Sequence, residues 1–378
     1  MSLKPIRDEI DRIDNELVEL FKKRMDCSKR VALYKQENSI PVFNPEREAQ
    51  VLDQIEEEAG EYGKSARLLY STIMDLSRAV QHDMLGSGLE LRNRIMCAKS
   101  SVPFDSPDVR IACFGVEGTY AHKAALTVFP EASPEFYSPF KEVFKSIQEG
   151  RADFGIIPIE NSSAGSVSEV YDLMLSYRFH IAAAVDISVD HCLAALPGAD
   201  IREIKTVFSH EQALMQCSDF MKGHPGITAK KEVSTAQAAK NVAESGDASA
   251  AAICSEDAAK KYGLEILMKG FQNAPDNTTR FIVISKELYI APDADKISLC
   301  FSLPHVTGSL YSILCRFAAK GLNLTKIESR PRPGRSFEYL FYLDFEGSAV
   351  NQDTLNMLCA LSDELGGFSF LGNYKEIR

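Results

Sequence analysis

The sequence lacks the cysteine pairs and the glycine-rich loops that mark several common classes of protein. Its nine cysteines stand singly among 378 residues, with no Cys-x-x-Cys spacing and in an odd number. They predict small buried apolar side chains, with neither a disulfide framework nor a zinc site. Since no glycine loop of the P-loop or dinucleotide-binding type is present either, we expect no cofactor and no metal ion.

Positive charge is also scarce. The chain has 42 Lys and Arg against 53 Asp and Glu, a formal net charge of -11 at pH 7. An acidic surface attracts neither nucleic acid nor an anionic membrane, so neither is an expected partner, and local basic residues must bind any anionic substrate. The first residues lead directly into a charged amphipathic helix without an apolar signal or membrane segment, which predicts a cytoplasmic protein.

What the sequence does contain is typical of a globular protein with several domains. Apolar residues make up 45% and charged residues 25% of a chain long enough for two or three domains. Apolar spacing predicts a long helix over residues 5–38, a second that starts at Asn44-Pro45-Glu46, and a third over about 65–84. Because three helices of such unequal length do not readily close a core alone, we expect this segment to dimerise.

Several polar side chains on these helices are spaced so that they come together. Arg24 and Lys35 lie within about 20° of one helix face and about 16 Å apart along the axis, so both can reach one small dianion. Arg7 lies about 100° from that face and would serve another site or another subunit. Solvated helix charges are the alternative explanation for each residue. The other polar positions are a pair in the first turn of the second helix and a pair on one face of the third: Arg47, Glu48, Ser77 and Gln81.

As a set, these residues resemble the active-site pattern of the all-helical chorismate mutase family over residues 1–90. Chorismate rearranges within one molecule, so a site that holds its diaxial conformer and donates hydrogen bonds to the ether oxygen is sufficient. The resemblance implies roles for all seven residues. Carboxylates and ring substituents would be bound by Arg24, by Arg47 and by Arg7, the last from a partner chain. The ether oxygen would be contacted by Lys35 and Gln81. Further substrate contacts would come from Glu48 and Ser77.

After a turn-rich boundary at about 90–108, short apolar strands alternate with helices from Val109 onward, which predicts an α/β sheet. Ligands in such sheets bind where strands end and helices begin. Polar clusters fall at three of these places, although helix capping explains their Asn and Ser residues equally well. The clusters are 115–120, Glu160-Asn161-Ser162-Ser163, and Ser209-His210-Glu211-Gln212 followed by Gln216.

The stretch Asn277-Thr278-Thr279-Arg280 lies between a turn and the buried apolar run 281–284. Two hydroxyls and a guanidinium therefore stand where a loop enters a sheet. The guanidinium offers a donor fork for a carboxylate, and the hydroxyls can orient or donate to a leaving oxygen. A small acid is thus a plausible ligand, and a simple strand-end cap is the alternative.

Together with Asp190-His191-Cys192-Leu193, these motifs resemble prephenate dehydratase over residues 109–287. The resemblance implies two lobes like those of a periplasmic binding protein, with prephenate in the cleft. Prephenate loses its ring carboxylate as carbon dioxide and its ring hydroxyl as water, so the site must protonate or hydrogen-bond the departing hydroxyl. The implied roles are Thr279 beside the leaving hydroxyl; Arg280 as a positioning cation; Glu160, His191 or His210 as proton donor or relay; and Asn161, Ser162, Ser209, Gln216 and Thr278 as substrate contacts.

Residues 296–378 predict the β-α-β-β-α-β order of a ferredoxin-like fold. The expected strands are 296–302, 323–328, 337–345 and 368–371, and the expected helices are 309–319 and 352–364. Its turns resemble those of the amino-acid-binding ACT domain, which implies L-phenylalanine as an allosteric effector; a dimerisation module is the alternative. The implied effector site consists of Gly308, Ser309, Leu310, Glu328, Ser329, Arg330 and Pro331.

All three segments resemble, in order, the parts of one bifunctional enzyme family. The expected architecture is an all-α mutase over 1–90, a two-lobed α/β dehydratase over 109–287 and an α+β ferredoxin-like regulatory domain over 296–378. The resemblance implies conversion of chorismate to prephenate and then to phenylpyruvate, inhibition by L-phenylalanine, and a homodimer or homotetramer. The alternatives are a non-catalytic protein that binds or senses a small acid, and an arogenate dehydratase.

Overall fold

A computed structural model of the protein describes residues 3–331 and 338–377. The chain divides into two compact units, each made of two separate stretches. The first draws on Met1–Cys97 and Lys296–Phe370, and the second on Ala98–Asp295 and Leu371–Arg378. The N-terminal helices and most of the C-terminal segment therefore share one unit, while the middle of the chain forms the other.

The first unit begins with four helices, of which three were expected. They are α1 (Lys4–Glu37), α2 (Pro45–Glu58), α3 (Gly63–Leu85) and α4 (Leu89–Met96), with a short 3-10 turn at Gly60–Tyr62. The side chain of Asn44 accepts a hydrogen bond from the amide of Arg47 at 3.0 Å, which confirms the predicted start of α2. Helix α4 was missed, because its eight residues are too few for apolar periodicity to stand out from the turn-rich stretch around it.

The first lobe of the second unit is a mostly parallel sheet with helices. Its elements are β1 (Ile111–Phe114), α5 (Tyr120–Val128), β2 (Glu135–Tyr137), α6 (Phe140–Gln148), β3 (Phe154–Asn161), β4 (Gly165–Ser166), α7 (Ser168–Tyr177) and β5 (His180–Ser188). Strands β1, β2 and β3 are parallel, as the alternating pattern predicted.

The second lobe follows directly. Its elements are β6 (Cys192–Ala195), a 3-10 turn (Ile201–Glu203), β7 (Thr206–His210), α8 (Glu211–Gln216), α9 (Ser218–Gly223), β8 (Thr228–Glu232), α10 (Thr235–Ser245), β9 (Ala250–Cys254), α11 (Glu256–Lys261) and β10 (Glu265–Lys269). These strands form a sheet in the order β10-β6-β9-β7-β8.

The chain then returns to the first lobe as β11 (Thr278–Ser285), which lies antiparallel between β3 and β5. Two chain crossings therefore join the lobes, one after β5 and one before β11. This is the two-lobed α/β arrangement expected from the sequence, and it brings the ends of β3, β5 and β11 together.

The remaining elements follow the predicted β-α-β-β-α-β order. They are β12 (Lys296–Ser302), α12 (Ser309–Ala319), β13 (Leu324–Pro331), β14 (Tyr339–Glu346), α13 (Gln352–Glu364) and β15 (Ser369–Ile377). Phe337, where the third of these strands was expected to begin, lies outside the described residues. Strand β15 runs beyond the expected end at 371, because Lys375–Ile377 continue as a parallel partner of β5 in the second unit.

Helix α3 buries a polar face instead of the expected apolar one. Of the four residues predicted to face the core, Leu69 is 56% exposed, and Ile73, Leu76 and Val80 are only half-buried. That prediction was wrong because α3 packs against helices that supply charged partners. The spacing of apolar residues cannot predict a buried face formed by polar side chains. Most of its buried side chains are polar: Asp75, Ser77, Arg78, Gln81 and His82.

The cysteines are all free. Cys27 and Cys97 are exposed, so the prediction of burial is wrong for these two; Cys315 is half-buried and the other six are buried as expected. Among the described residues, no cluster of His, Cys, Asp and Glu is placed to hold a metal ion, and no helix has the length and apolar character needed to cross a membrane.

Candidate active sites

Helix α1 presents Arg24 and Lys35 on the face that packs inward. Ser28 and Ala32, which lie between them on the helix, are buried, and both basic side chains are half-buried. The Nη1 of Arg24 donates to the Oγ of Ser77 on α3 at 2.9 Å, and the Nζ of Lys35 donates to the carbonyl of Val42, just before α2. Both cations are therefore held by neighbouring segments of the helical bundle rather than extended into solvent.

Gln81 adds a buried amide to the same region. Its Nε2 donates to the carbonyl of Ser77 at 3.3 Å, and its Oε1 is buried without a hydrogen-bond partner among the described residues. Because buried polar atoms are nearly always hydrogen-bonded in proteins, the Oε1 of Gln81 is a candidate acceptor for a donor on a ligand.

The electrostatics around Lys35 involve Glu48 and a residue that the sequence analysis overlooked, Arg78. Burial lowers the pKa of Lys35, the nearby Glu48 carboxylate partly opposes this, and the Arg78 guanidinium lowers the pKa further. The Nη1 of Arg78 donates to the Oε2 of Glu48. Arg78 follows Ser77 directly and from sequence resembles an ordinary helix charge; nothing in the sequence alone marks its partner.

Arg7 and Arg47 lie exposed in this single chain. Arg47 is positioned by the Asn44 cap at the start of α2, and Arg7 stands in the second turn of α1. Their predicted contacts with the substrate stay predictions.

In the second unit, Asn161 and Thr279 face each other across the antiparallel strands β3 and β11. The Nδ2 of Asn161 lies 2.9 Å from the Oγ1 of Thr279 and 2.8 Å from the Oδ1 of the buried Asn277. The Oδ1 of Asn161 accepts from the amides of Ser163 and Ala164 at 3.0 and 2.9 Å. Because the amide donates to the Thr279 oxygen, the hydroxyl proton of Thr279 remains available to another acceptor.

Ser162 and Thr278 secure this arrangement through the backbone. The amide of Ser162 donates to the carbonyl of Thr278 at 2.9 Å, and the amide of Thr278 donates to the hydroxyl of Ser162 at 3.0 Å. The two loops that carry Asn161 and Thr279 are thus tied to each other independently of any ligand.

Arg280 points the other way. Its Nε and Nη2 donate to the two carboxylate oxygens of Asp186 at 2.8 Å each, and its Nη1 lies 3.2 Å from Glu376 on β15. The hydrogen bonds with Asp186 raise the pKa of Arg280 despite its burial. Successive side chains on a strand face opposite sides, so Arg280 faces away from Thr279. Its donor fork, which the sequence suggested for a substrate carboxylate, is occupied by Asp186, its neighbour on β5.

Glu160 pairs with Arg280 in the register of β3 and β11, so it belongs to the Arg280 side and not to the Thr279 side. This placement argues against a direct proton transfer from Glu160 to an oxygen held by Thr279.

His191 forms a neutral pair with Gln216. Its Nε2 lies 2.9 Å from the Oε1 of Gln216, and its Nδ1 lies 3.4 Å from the hydroxyl of Tyr120, which donates to the carbonyl of Asp190 at 2.7 Å. Burial lowers the pKa of His191, against the opposing effects of the Gln216 hydrogen bond and the Asp190 charge. The lowered pKa favours the uncharged imidazole of His191, which is suited to orient a ligand rather than to supply a proton.

Ser209 makes a hydrogen bond to a neighbouring strand, and His210 caps the helix that follows it. The hydroxyl of the fully buried Ser209 donates to the carbonyl of Ile253 at 2.6 Å, and the exposed His210 accepts from the amide of Gln212 at 3.3 Å. Their contacts with substrate remain predictions. The bond of His210 to the amide of Gln212 is the helix cap that the alternative explanation predicts.

The predicted effector residues occupy one turn and one strand end. Gly308 caps the N-terminus of α12 with φ +88°, a conformation that disfavours any side chain. Ser309 and Leu310 form the first turn of that helix and are half-buried. The other four residues, Glu328, Ser329, Arg330 and Pro331, end β13.

Two protein families match the chain. The family described as chorismate mutase type II matches residues 6–82, and the family described as prephenate dehydratase matches residues 111–288. Each match coincides with one of the two candidate sites.

Individual relatives extend these matches. A bifunctional chorismate mutase/prephenate dehydratase of Aquifex aeolicus is 32% identical over 379 residues, which cover 98% of this chain and 97% of that protein. The chloroplastic arogenate dehydratase/prephenate dehydratase 1 of Arabidopsis thaliana is 37% identical over 287 residues, 71% of this chain and 73% of that protein. The solved prephenate dehydratase of Arthrobacter aurescens in complex with L-Phe is 30% identical, with a TM-score of 0.64 over 71% of this chain and 90% of that chain.

The resemblances stated from the sequence are confirmed for the mutase and dehydratase segments, and the similarity to the Aquifex aeolicus protein spans both in one alignment. A purely non-catalytic binding protein is thereby set aside. The chain belongs to the bifunctional chorismate mutase/prephenate dehydratase family.

Proposed function

We propose that the two activities of this enzyme, chorismate mutase and prephenate dehydratase, reside in separate sites, one in each unit. Chorismate rearranges to prephenate in the helical site, and prephenate loses carbon dioxide and water in the two-lobed unit to give phenylpyruvate. The observation that carries the proposal is the presence of two polar clusters of different chemistry, one cationic around α1 and one of hydroxyls and amides around β3 and β11.

In the mutase site, Arg24 and Lys35 bind the dianion from one side of α1, and Lys35 and Gln81 donate to the ether oxygen as negative charge develops there. The half-buried cations support this assignment, and the Nε2 of Gln81 carries a second N–H besides the one that bonds to Ser77. Donors that are already in place need no reorganisation during the reaction, which is how a site without an acid or nucleophile accelerates a rearrangement.

The mutase site is completed by a second copy of the chain. Helix α1 exposes a run of large apolar side chains, and contiguous apolar surface of this kind is typical of an interface between copies. Arg7 lies on this exposed helix and is the residue that the partner would contribute. The exposed apolar residues include Ile6, Ile10, Ile13, Leu17, Leu20, Phe21, Val31 and Leu33.

The pH dependence of the mutase reaction tests the role of Lys35. Only the ammonium form donates to the ether oxygen, and its pKa is lowered from the ordinary 10.5 in the free protein. We therefore expect kcat/KM for chorismate to fall as pH rises through a value below 10.5. In Lys35→Arg, whose guanidinium stays charged, the rate is lower at neutral pH but the alkaline fall should disappear. An unchanged alkaline fall in that variant would rule out Lys35 as its source.

In the dehydratase site, the hydroxyl of Thr279 keeps its proton and donates a hydrogen bond to the departing ring hydroxyl, and solvent supplies the proton that completes the released water. Asn161 fixes the Thr279 oxygen by donating to it at 2.9 Å, which leaves the proton directed toward the ligand. His191 and Gln216 orient the substrate as a neutral pair. Arg280 acts from the far face of β11 by holding that strand through Asp186, a positioning role that needs no contact with substrate. Loss of two small molecules yields an aromatic ring, so hydrogen bonding to the leaving group is sufficient assistance.

Removal of one hydroxyl tests this assignment. Thr279→Ala should lower phenylpyruvate formation from prephenate by at least about a hundredfold, as for loss of one preorganised hydrogen-bond donor to a developing charge, while chorismate consumption continues at the original rate. Thr127→Ala is the matched control, because its hydroxyl bonds within its own exposed helix to the carbonyl of Lys123. Equal losses of both activities in Thr279→Ala would contradict separate sites.

The C-terminal β-α-β-β-α-β segment is an ACT domain that binds L-phenylalanine, the amino acid made from phenylpyruvate. The left-handed Gly308 opens the start of α12, where free amides suit the carboxylate of an amino acid. Feedback inhibition follows if phenylalanine binds one arrangement of the protein better than another.

A glycine substitution tests the effector site. In Gly308→Ala a methyl group is placed on a residue with φ +88°, which strains the turn. We expect the L-phenylalanine concentration that halves phenylpyruvate formation to rise at least about tenfold, equivalent to about 1.4 kcal/mol of effector binding. Gly226→Ala, at an open position whose φ is not in the left-handed region, is the control. An unchanged inhibition curve in Gly308→Ala would place the effector elsewhere.

A further inference from the structure

A cluster of five charged or titratable side chains lies buried within the first unit, away from solvent and outside the residues assigned so far to substrate. Helix α3 supplies three of them, and α12 and α13 supply one each. Every one of these side chains is less than a tenth exposed. They are Asp75, Arg78, His82, Arg316 and Glu364.

Glu364, the last residue of α13, lies beside His82, Arg78 and Arg316. Its Oε1 lies 2.8 Å from the Nε2 of His82, and its Oε2 lies 3.4 Å from the Nε of Arg78 and also contacts Arg316. Burial opposes its ionisation, but hydrogen bonds from His82 and Arg316 and the charges of Arg316 and Arg78 lower the pKa of Glu364 to about 2. Glu364 is therefore a carboxylate at neutral pH.

Arg78 links Glu364 to the proposed mutase site, because its guanidinium contacts both Glu364 and Glu48. Each of its guanidinium nitrogens meets a different carboxylate: Nε meets Glu364, Nη2 donates to Asp75, and Nη1 donates to Glu48. Two hydrogen bonds, to Asp75 and Glu48, orient the planar group, and Glu364 adds an ionic contact 3.4 Å from Nε that is not a hydrogen bond. Glu48, in the first turn of α2, is the one member of this set that is partly open to solvent, with a side chain 24% exposed.

The position of Glu48 matters because its charge acts on Lys35, which we propose binds the dianionic substrate. Without Arg78, its negative charge would repel the carboxylates of chorismate and would draw the Lys35 ammonium away from the ether oxygen. With Arg78 bound, the charge is balanced and the carboxylate is held in one place. A unimolecular rearrangement is particularly sensitive to such placement, because positioning is most of what the protein contributes.

We propose that Arg78 and Glu364 are positioning residues of the mutase reaction: Glu364 orients Arg78, and Arg78 holds Glu48 in its working position beside Lys35. The C-terminal segment thereby contributes to the chemistry of the N-terminal helices. The inference rests on the proposed place of Glu48 in the chorismate site.

The first test uses Glu364→Gln in the full-length protein, which keeps the shape of the side chain and removes its charge. Mutase kcat/KM should fall by at least about tenfold, within the hundredfold that a misplacement of about 1 Å can cause. Phenylpyruvate formation from added prephenate should stay unchanged, since that site lies in the other unit. Asp353→Asn, which removes an exposed carboxylate from the same helix, should leave both activities unchanged. An unaltered mutase rate in Glu364→Gln would overturn the proposal.

A double-mutant cycle separates positioning from general destabilisation. If Glu364 acts through Glu48, adding Glu364→Gln to Glu48→Gln should change mutase kcat/KM by less than about twofold, because interacting residues are not additive. The same large loss in both backgrounds would show that Glu364 acts by another route and would overturn the inference alone. Full mutase activity in Glu48→Gln would instead remove Glu48 from the chorismate site, and with it both the site assignment and this inference.

Arg78→Lys covers the case in which Glu364→Gln does not fold. Lysine keeps the buried positive charge but cannot contact three carboxylates in one plane. We expect the mutase kcat/KM to fall by about tenfold, which corresponds to about 1.4 kcal/mol, again without an effect on phenylpyruvate formation from prephenate. A mutase rate equal to that of the unmodified enzyme would overturn the proposal.

Discussion

The antiparallel pairing of β11 with β3 determines what the dehydratase site can be. Since successive side chains on a strand point to opposite faces, this register places Thr279 beside Asn161 and sends Arg280 to Asp186. A slip of one residue would exchange the two faces. The hydrogen bonds between Ser162 and Thr278 hold the loops at the same register, so the position of the Thr279 hydroxyl is set by the sheet and not by a ligand.

The mutase site depends on a different constraint, the cost of burying charge. A buried guanidinium or carboxylate is stable only when its partners are well placed, and removal of one partner leaves an uncompensated charge. Helix α3 meets this requirement by contacting charged residues from distant parts of the sequence, Arg316 and Glu364. The helical segment and most of the C-terminal segment lie in one unit, and these ionic contacts are among those that join them.

Much of the fold follows from the sequence by itself. The Asn44-Pro45 start of α2 carries its own capping chemistry, and the ranges of α12 and α13 match the predicted helices, because local spacing and turn residues are sufficient to set them. The polar face of α3 and the continuation of β15 to Ile377 were not predicted. Both depend on partners more than a hundred residues away, and local periodicity contains no information about them.

The same distinction holds for the candidate sites. Sequence motifs identified Thr279 and Asn161 as functional candidates, and the structure brings them together. The motif could not reveal that Asp186 occupies the fork of Arg280, because Asp186 stands in an otherwise ordinary strand. Arg78 was overlooked for a similar reason: a helical arginine is usually solvated, and only its three carboxylate neighbours distinguish it.

The existence of two sites acting in succession is tested most directly by a time course with the purified protein and chorismate as the sole substrate. The account predicts that chorismate disappears, that prephenate rises and then falls, and that phenylpyruvate accumulates in its place. Prephenate that accumulates without phenylpyruvate would contradict the proposed dehydratase site. Chorismate that is not consumed, while added prephenate is still converted, would contradict the mutase site.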